Sequence, residues 1–446
     1  GVYDHGYALL NERVSEHDPR DGIARQRLWK VRARQSITAT GAIERPLAFA
    51  GNDLPGVMLA SAVRDFVVNY GVAPGKSTAV VTNNDDGYRT ALTLHEAGLS
   101  VPVILDARDT ADGPLAEAAR AAGLRVLAGH AVSKVVGKGR VEAVHVCAQS
   151  GSGEMTEYIK VDCVAMSGGW SPVVHLWSHA GGKLRWSDRS VHFAPDPARA
   201  PKGAKGEEFV VTAGAASGKT LTKDVLEDAH GAGLVAAGAV GKIGATEGPI
   251  APPEDIQPIE PIWRMPDQAP YKLRAKAFLD FQNDVKVTDV ELAAREGFES
   301  VEHAKRYTTL GMATDQGKLS NINGLAVLSG ALDKAIPEVG TTTFRPPFTP
   351  LTMGAIAGEA TGALFQPIRK TPLYAAHMER KAHMEPVGLW RRPYCYLDAH
   401  NSVEDAVIHE INTTRRSVGV LDASPHGKLI VKGPDAGRFL DMLYTN

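Results

Sequence analysis

The run Thr78 to Thr82 shows no polar and apolar alternation, so it reads as a strand buried on both faces. A polar turn follows, then a helical repeat from about Tyr88 to Ala97, then a second apolar run ending at Asp106. Strand, helix and strand of this length make a βαβ unit. Similar connections flank it. Leu28 to Ala39 is strand-rich and runs into a turn containing Thr38, Ala39, Thr40, Gly41 and Pro46, while Val161 to Pro172 is an apolar strand with a Gly168-Gly169 turn and a proline. Small residues at such turns let backbone approach a ligand closely, which makes Thr40 and Gly41 candidates. A third strand, Phe209 to Ala213, enters Gly214 to Gly218 and a long Ala-rich helix.

Residues 251–270 break the periodicity. Proline and charge dominate there, predicting a semi-rigid linker or an arm lying on another surface, anchored by Trp263 and Met265. A strand and two helices follow. Thr288 with Glu291 three residues on is a capping-box pattern for the first of these helices. The second helix leads into Lys305 to Lys318, KRYTTLGMATDQGK, where Thr308, Thr309, Thr314, Gln316 and Lys318 surround two glycines. Hydroxyls, backbone N–H groups and an ammonium so placed suit a phosphate. A polar interdomain connector is the alternative.

The turn after Thr82 is Asn83, Asn84, Asp85, Asp86 and Gly87, where a dinucleotide site would carry G-x-G-x-x-G. A carboxylate there repels a pyrophosphate by about 4 kcal/mol per like-charge pair at ~4 Å and an effective dielectric of about 20. This second nucleotide-type unit is therefore expected to be empty.

Composition narrows the function classes. The 446 residues need several cores, and 43% apolar with 22% charged is ordinary for a globular protein. Net charge is −2 with the signs interspersed, which gives no footprint for nucleic acid. No apolar run is long enough to cross a bilayer and no signal-peptide pattern is present, so a cytoplasmic location and no membrane partner are expected. Cys147, Cys163 and Cys395 stand far apart and read as reduced thiols. His175 and His179, four apart, and His377 and His383, six apart, lack a completing carboxylate or thiol, so no metal is expected. No nucleophile elbow or Cys/His dyad is visible, and no catalytic residue is assigned.

The paired strand-to-small-turn connections bracketing a separate unit resemble the two-dinucleotide-domain flavoproteins that include glutathione reductase. FLDFQNDV, KRYTTLGMATDQGK and PPFTPLTMGAIAG resemble the alpha-subunit family of heterotetrameric sarcosine oxidases, with the domain order agreeing along the chain. Thr371-Pro372-Leu373-Tyr374 and Val418 to Asp422, with Gly427 and Gly433-Pro434, resemble the start of an aminomethyltransferase domain. That family's phenylalanine-glycine-tryptophan is here Val387-Gly388-Leu389-Trp390.

The fold class so implied is α/β: a two-dinucleotide-binding-domain flavoprotein fold, a small helical domain like a cysteine-less [2Fe–2S] domain, and the start of a folate-binding α+β domain. The expected boundaries are 1–48 with 161–250 for the first dinucleotide domain, 49–160 for the insert, 251–350 for arm and helical domain, and 351–446 for the folate-type part. No cluster is expected, since Asp280, Gln282 and Asn283 stand where thiols would be.

The resemblance further implies structural NAD in the first domain, with Ala216, Gly218, Leu221 and Thr222 at the final strand–helix junction. Tight helix–strand packing explains those small residues equally well. It implies FMN held by the Lys305–Lys318 stretch jointly with a beta subunit, tetrahydrofolate as co-substrate, and gamma and delta subunits. The implied reaction is oxidative demethylation of sarcosine to glycine with hydrogen peroxide and 5,10-methylenetetrahydrofolate. A related amine or opine dehydrogenase subunit and a cofactor-free scaffold subunit are the alternatives. The first glycine-rich phosphate loop is expected before Gly1, which predicts weak dinucleotide retention by this stretch alone.

Overall fold

The computed structural model describes residues 1–3, 6–244, 247–398 and 402–445. They form two compact units. One comprises Gly1–Arg13 with Leu28–Leu351, the other Val14–Arg27 with Thr352–Asn446.

The centre of the first unit is a five-stranded parallel sheet in the order Val57–Leu59, Cys163–Ser167, Thr78–Thr82, Ile104–Asp106, Val126–Ala128. Every residue of Thr78–Thr82 is buried, as its unbroken apolar pattern requires. Helices Ala60–Tyr70, Asp86–Glu96 and Pro114–Ala121 cover one face through Val63, Tyr88, Ala91 and Leu94. The antiparallel strands His130–Val136, Ala143–Ala148 and Glu157–Lys160 cover the other through Val132, Val144 and Val146. Cys163–Ser167 pairs along its whole length with Thr78–Thr82, so this sheet runs past residue 160. An isolated apolar strand does not reveal which sheet it joins.

Beside that sheet, Ser36–Thr38 and Val210–Thr212 form a parallel pair, and Ala42–Glu44 pairs antiparallel with Trp170–Pro172. Val210–Thr212 leads through a single turn at Gly214–Ser217 into the helix Thr222–Ala239. The arm after residue 250 lies on the parallel sheet's unit, with Met265 1% exposed in its core.

The helical part that follows packs Val287–Arg295, Val301–Thr308 and Asn321–Leu332 around Leu279, Val290, Leu310 and Leu328. The first of these helices starts at Val287, and the carboxylate that caps it is Asp289, which accepts the Lys286 N–H at 2.9 Å. Thr288 is thus already inside the helix. Glu291 instead binds Arg264 at 3.2 Å and Arg274 at 3.0 Å, tying the arm to the helix.

In the second unit, Arg369–Lys370, Trp390–Tyr396 and Ala382–Val387 form a small sheet beside the helices Tyr374–Glu379 and Val403–Arg416. All three cysteines are buried and free. Among the described residues no helix is long and apolar enough to cross a membrane, and no three His, Cys, Asp or Glu residues are grouped to hold a metal.

Candidate functional site

In a doubly wound sheet, ligands sit beyond the carboxyl ends of the strands, where the strand order reverses. Here that point lies at the turn after Thr82. Arg108, 1% exposed, reaches Asp106 at 2.7 Å and Asp85 at 2.9 Å, and Arg64 holds Asp86 at 3.2 Å. Arg64 matches Asp86, but Arg108 is divided between Asp85 and Asp106, so the repulsion expected from sequence is reduced rather than removed. The chain's own arm closes the place instead. Gln257 donates its N–H to Asp85 at 2.7 Å, Arg108 donates to Pro258 O at 3.2 Å, and Asn83 Nδ2 donates to Glu260 O at 2.8 Å.

A cavity of about 410 Å3 opens where this turn, the arm, the Gly169-Trp170 turn and the Gly218–Leu221 loop meet. Gly218 takes φ +88°, and a Cβ there would fall 3.1 Å from His192 Nε2 and 3.0 Å from the Ala194 methyl. Only glycine fits that wall. Of the six dinucleotide candidates, Gly218 and Leu221 line this cavity, whereas Thr40, Gly41, Ala216 and Thr222 do not. Thr40 donates its hydroxyl to Val173 O at 2.7 Å, and Gly41 O accepts from the Val173 N–H at 2.9 Å. Ala216 is fully buried in packing. Thr222 starts the long helix, and its N–H meets the Glu254 carboxylate at 2.5 Å, with Arg89 holding the same carboxylate at 3.1 Å. An acid from the arm thus occupies that helix N-terminus, as the helix dipole favours.

The Lys305–Lys318 stretch departs further from expectation. Its hydroxyls do not converge. Thr308 donates to Ala304 O at 2.8 Å, Thr309 to Thr308 O at 2.6 Å, and Thr314 to Gln282 Oε1 at 3.2 Å. A hydroxyl has one proton, so in this arrangement Thr308 and Thr309 leave the set of phosphate donors. Gln316 donates to Pro347 O at 2.6 Å. The backbone donors do gather on an anion, but it is Asp280: its Oδ1 accepts the N–H groups of Gln282 and Asn283 at 2.9 and 3.0 Å, and its Oδ2 that of Gly311 at 2.7 Å.

Lys318 remains. Its ammonium binds Phe348 O at 2.7 Å and Asp315 O at 3.0 Å and stands 4.3 Å from the centre of the Phe348 ring. Burial holds its pKa below the ordinary lysine value. Lys318 and His175 line a small cavity of about 30 Å3. His175 is 5% exposed with both ring nitrogens unpartnered, and burial, then the charge of Lys318, lowers its pKa to about 3. In the sequence His175 stands out only for its spacing from His179, and no spacing rule joins it to a lysine 143 positions away.

In the second unit His377 bridges Tyr396 OH at 2.7 Å and Asp422 at 2.9 Å, while Ser424 N–H caps the same carboxylate at 2.9 Å. Hydrogen bonds from Ser424 and His377 hold Asp422 well below the usual carboxylate range.

A model of the sarcosine oxidase A3 domain matches residues 274–359, and one of the GCVT N-terminal domain matches residues 373–446. Sarcosine oxidase subunit alpha of Rhizobium meliloti (strain 1021) is 40% identical over 454 residues, spanning 100% of this chain and 44% of its own length. The chain is a homologue of sarcosine oxidase alpha subunits along its whole length. The corresponding subunit of Corynebacterium sp. (strain P-1) is 39% identical across 100% of this chain and 46% of its own length. This alpha-subunit homologue therefore spans a little under half the length of those relatives.

An aminomethyltransferase of Thermotoga maritima is 35% identical over 79 residues, 18% of the chain and 20% of that enzyme. Among solved structures, L-proline dehydrogenase from P. horikoshii superposes with a TM-score of 0.59 at 21% identity, covering 80% of this chain and 63% of that one. The expected fold class is borne out: a dinucleotide-binding oxidoreductase fold followed by A3 and GCVT-type domains.

Proposed function

We propose that this chain is the cofactor-holding part of the alpha subunit of a multi-subunit sarcosine oxidase, acting in oxidative demethylation of sarcosine to glycine. Hydrogen peroxide and 5,10-methylenetetrahydrofolate are the other products in this reading. The observation that carries it is 38–40% identity, along the whole of this chain, to a little under half the length of subunits of that name. The beta, gamma and delta subunits, oxygen as acceptor and a cytoplasmic setting belong to the same proposal.

Two cofactor positions follow. The cavity walled by Gly218 and Leu221 suits part of a structural NAD, because it is roomy and glycine-walled, with a buried unpaired nitrogen on His192. Thr40, Gly41, Ala216 and Thr222 would support that site through the backbone they fix. The second position is FMN, held jointly with the beta subunit by Lys318, which has a third ammonium proton to donate, and by Gln316, whose amide keeps a second one, with Thr314 available only once its hydroxyl leaves Gln282. FMN would supply electron transfer; this chain's residues would bind and orient it. The 373–446 segment would begin the tetrahydrofolate site, with His377 fixing Asp422 and Tyr396.

The domain limits 1–48 with 161–250, 49–160, 251–350 and 351–446 are kept as functional divisions, with the strand Cys163–Ser167 assigned to the insert's sheet. Oxygen uptake on adding sarcosine to the assembled complex tests the reading. Uptake with glycine formed supports it; sarcosine turnover without uptake moves the complex to the dehydrogenase reading.

A further inference from the structure

The arm from Glu254 to Glu260 is tied down by polar contacts. The Glu254 carboxylate takes the Thr222 N–H at the start of the helix Thr222–Ala239 and, at 3.1 Å, the guanidinium of Arg89 on the helix Asp86–Glu96. One side chain thus joins the first dinucleotide-type part to the insert. Gln257 places its N–H on Asp85 at 2.7 Å and its side-chain amide on Thr110 Oγ1 and Asp112 at 3.0 and 2.9 Å. Arg108 holds Pro258 O, Asn83 Nδ2 donates to Glu260 O, and the Glu260 N–H returns to Asn83 O at 3.3 Å.

Apolar anchoring begins only beyond this run. None of residues 251–261 joins a hydrophobic core; Ile262 is the first to pack against one, and Met265, 1% exposed, is the first of the arm inside it. On the other side residues 247–250 are exposed, Ile250 to 98%. Backbone held by polar ties with little apolar burial opens at a lower free energy than the sheet beneath it. Pro252, Pro253, Pro258 and Pro261 stiffen the run, so it moves as one piece. Ile256, Gln257, Pro258 and Ile259 form a wall of the 410 Å3 cavity, to which Gly218 and Leu221 contribute from the first part. Lifting the arm removes that wall and joins the cavity to solvent.

We propose that residues 251–261 are a strap that lifts from its anchor at Ile262–Met265 to pass the ligand in and out of this cavity, with Glu254 as the latch. The proposal rests on the dinucleotide reading above and adds how the ligand is retained: by a slow path out. The latch lies at the joint between the two parts, so releasing one side chain frees the strap from both.

The test uses the full-length protein and two readouts: exchange of bound NAD+ against labelled NAD+, and hydrogen exchange of the arm amides. Glu254→Ala removes both latch bonds and is expected to speed release and capture of NAD+ alike, by about tenfold, with Kd little changed. The amides of Gln257 and Glu260 must exchange severalfold faster in the same variant, while those of Val80 and Val81 in the sheet keep their wild-type rates. Where NAD+ is bound, wild-type behaviour of Glu254→Ala in either readout overturns the proposal. Faster release with unchanged capture, the mark of a lost ligand contact, overturns it too. Where Glu254→Ala fails to fold, Arg89→Met breaks the latch from the insert side and must give the same changes. If the protein holds no NAD+ but the amide changes appear, the strap stands and the dinucleotide reading fails. If it holds none and the amides are unchanged, both fall.

Discussion

The carboxylate of Asp280 accepts the backbone N–H of Gly311 at 2.7 Å, closing a loop that the sequence offers as a phosphate cradle. Asp280 is 3% exposed and takes two further N–H groups, from Gln282 and Asn283. Asp280→Ala would strand three donors in a closed loop, and a loss of about 3 kcal/mol is expected in chemical unfolding. Asp280→Asn, which keeps one acceptor oxygen, should lose less.

Arg108 is the second internal anchor. It is shared by Asp85 and Asp106 and also holds the arm through Pro258 O. Removing one partner of a buried ion cluster leaves uncompensated charge. Arg108→Met should therefore cost about 3–5 kcal/mol, and limited proteolysis should cut the arm near Gln257 faster than in wild type.

Glu44 gives a pH signature. Its carboxylate accepts the Ser61 N–H at 2.8 Å and the Ser61 hydroxyl at 2.6 Å, but burial outweighs these bonds and raises its pKa from 4.5 to about 7. Below about pH 4.5 the group is protonated whether folded or unfolded and makes no difference. Between 4.5 and 7 the unfolded chain ionises first, so stability falls as pH rises, by about 3 kcal/mol in all. Urea unfolding at pH 5 and pH 8 should show a smaller loss for Glu44→Gln than for wild type. Equal losses would show that Glu44 does not titrate this way.

Lys318 binds two backbone carbonyls, so its replacement by alanine removes both a loop contact and the proposed FMN donor. Lys318→Ala should lower the FMN content of the assembled complex severalfold and leave its NAD content unchanged. Unchanged FMN and activity would return this stretch to a structural connector.

Much of the fold was legible in the residues. Thr78–Thr82 was readable as a strand because both of its faces are buried, and the helix after it was placed within two residues. The strand Cys163–Ser167 was readable too, but not its partner, since parallel pairing links positions far apart in the chain. The site was less legible. Composition marked Thr308 and Thr309 as donors, whereas local geometry spends their protons on carbonyls one and four residues back. The arm was recognisable from its prolines, but no pattern told that Glu254 would cap a helix 32 residues earlier.

The central claim is that this chain holds two different nucleotides in a sarcosine oxidase. The most direct measurement is chromatography of the nucleotides released from the purified full-length complex by acid, followed by proteolysis to free any covalently attached flavin. About one NAD+ per alpha chain, with FMN present as well, is the predicted result. A complex that turns over sarcosine but contains no NAD+ would contradict it.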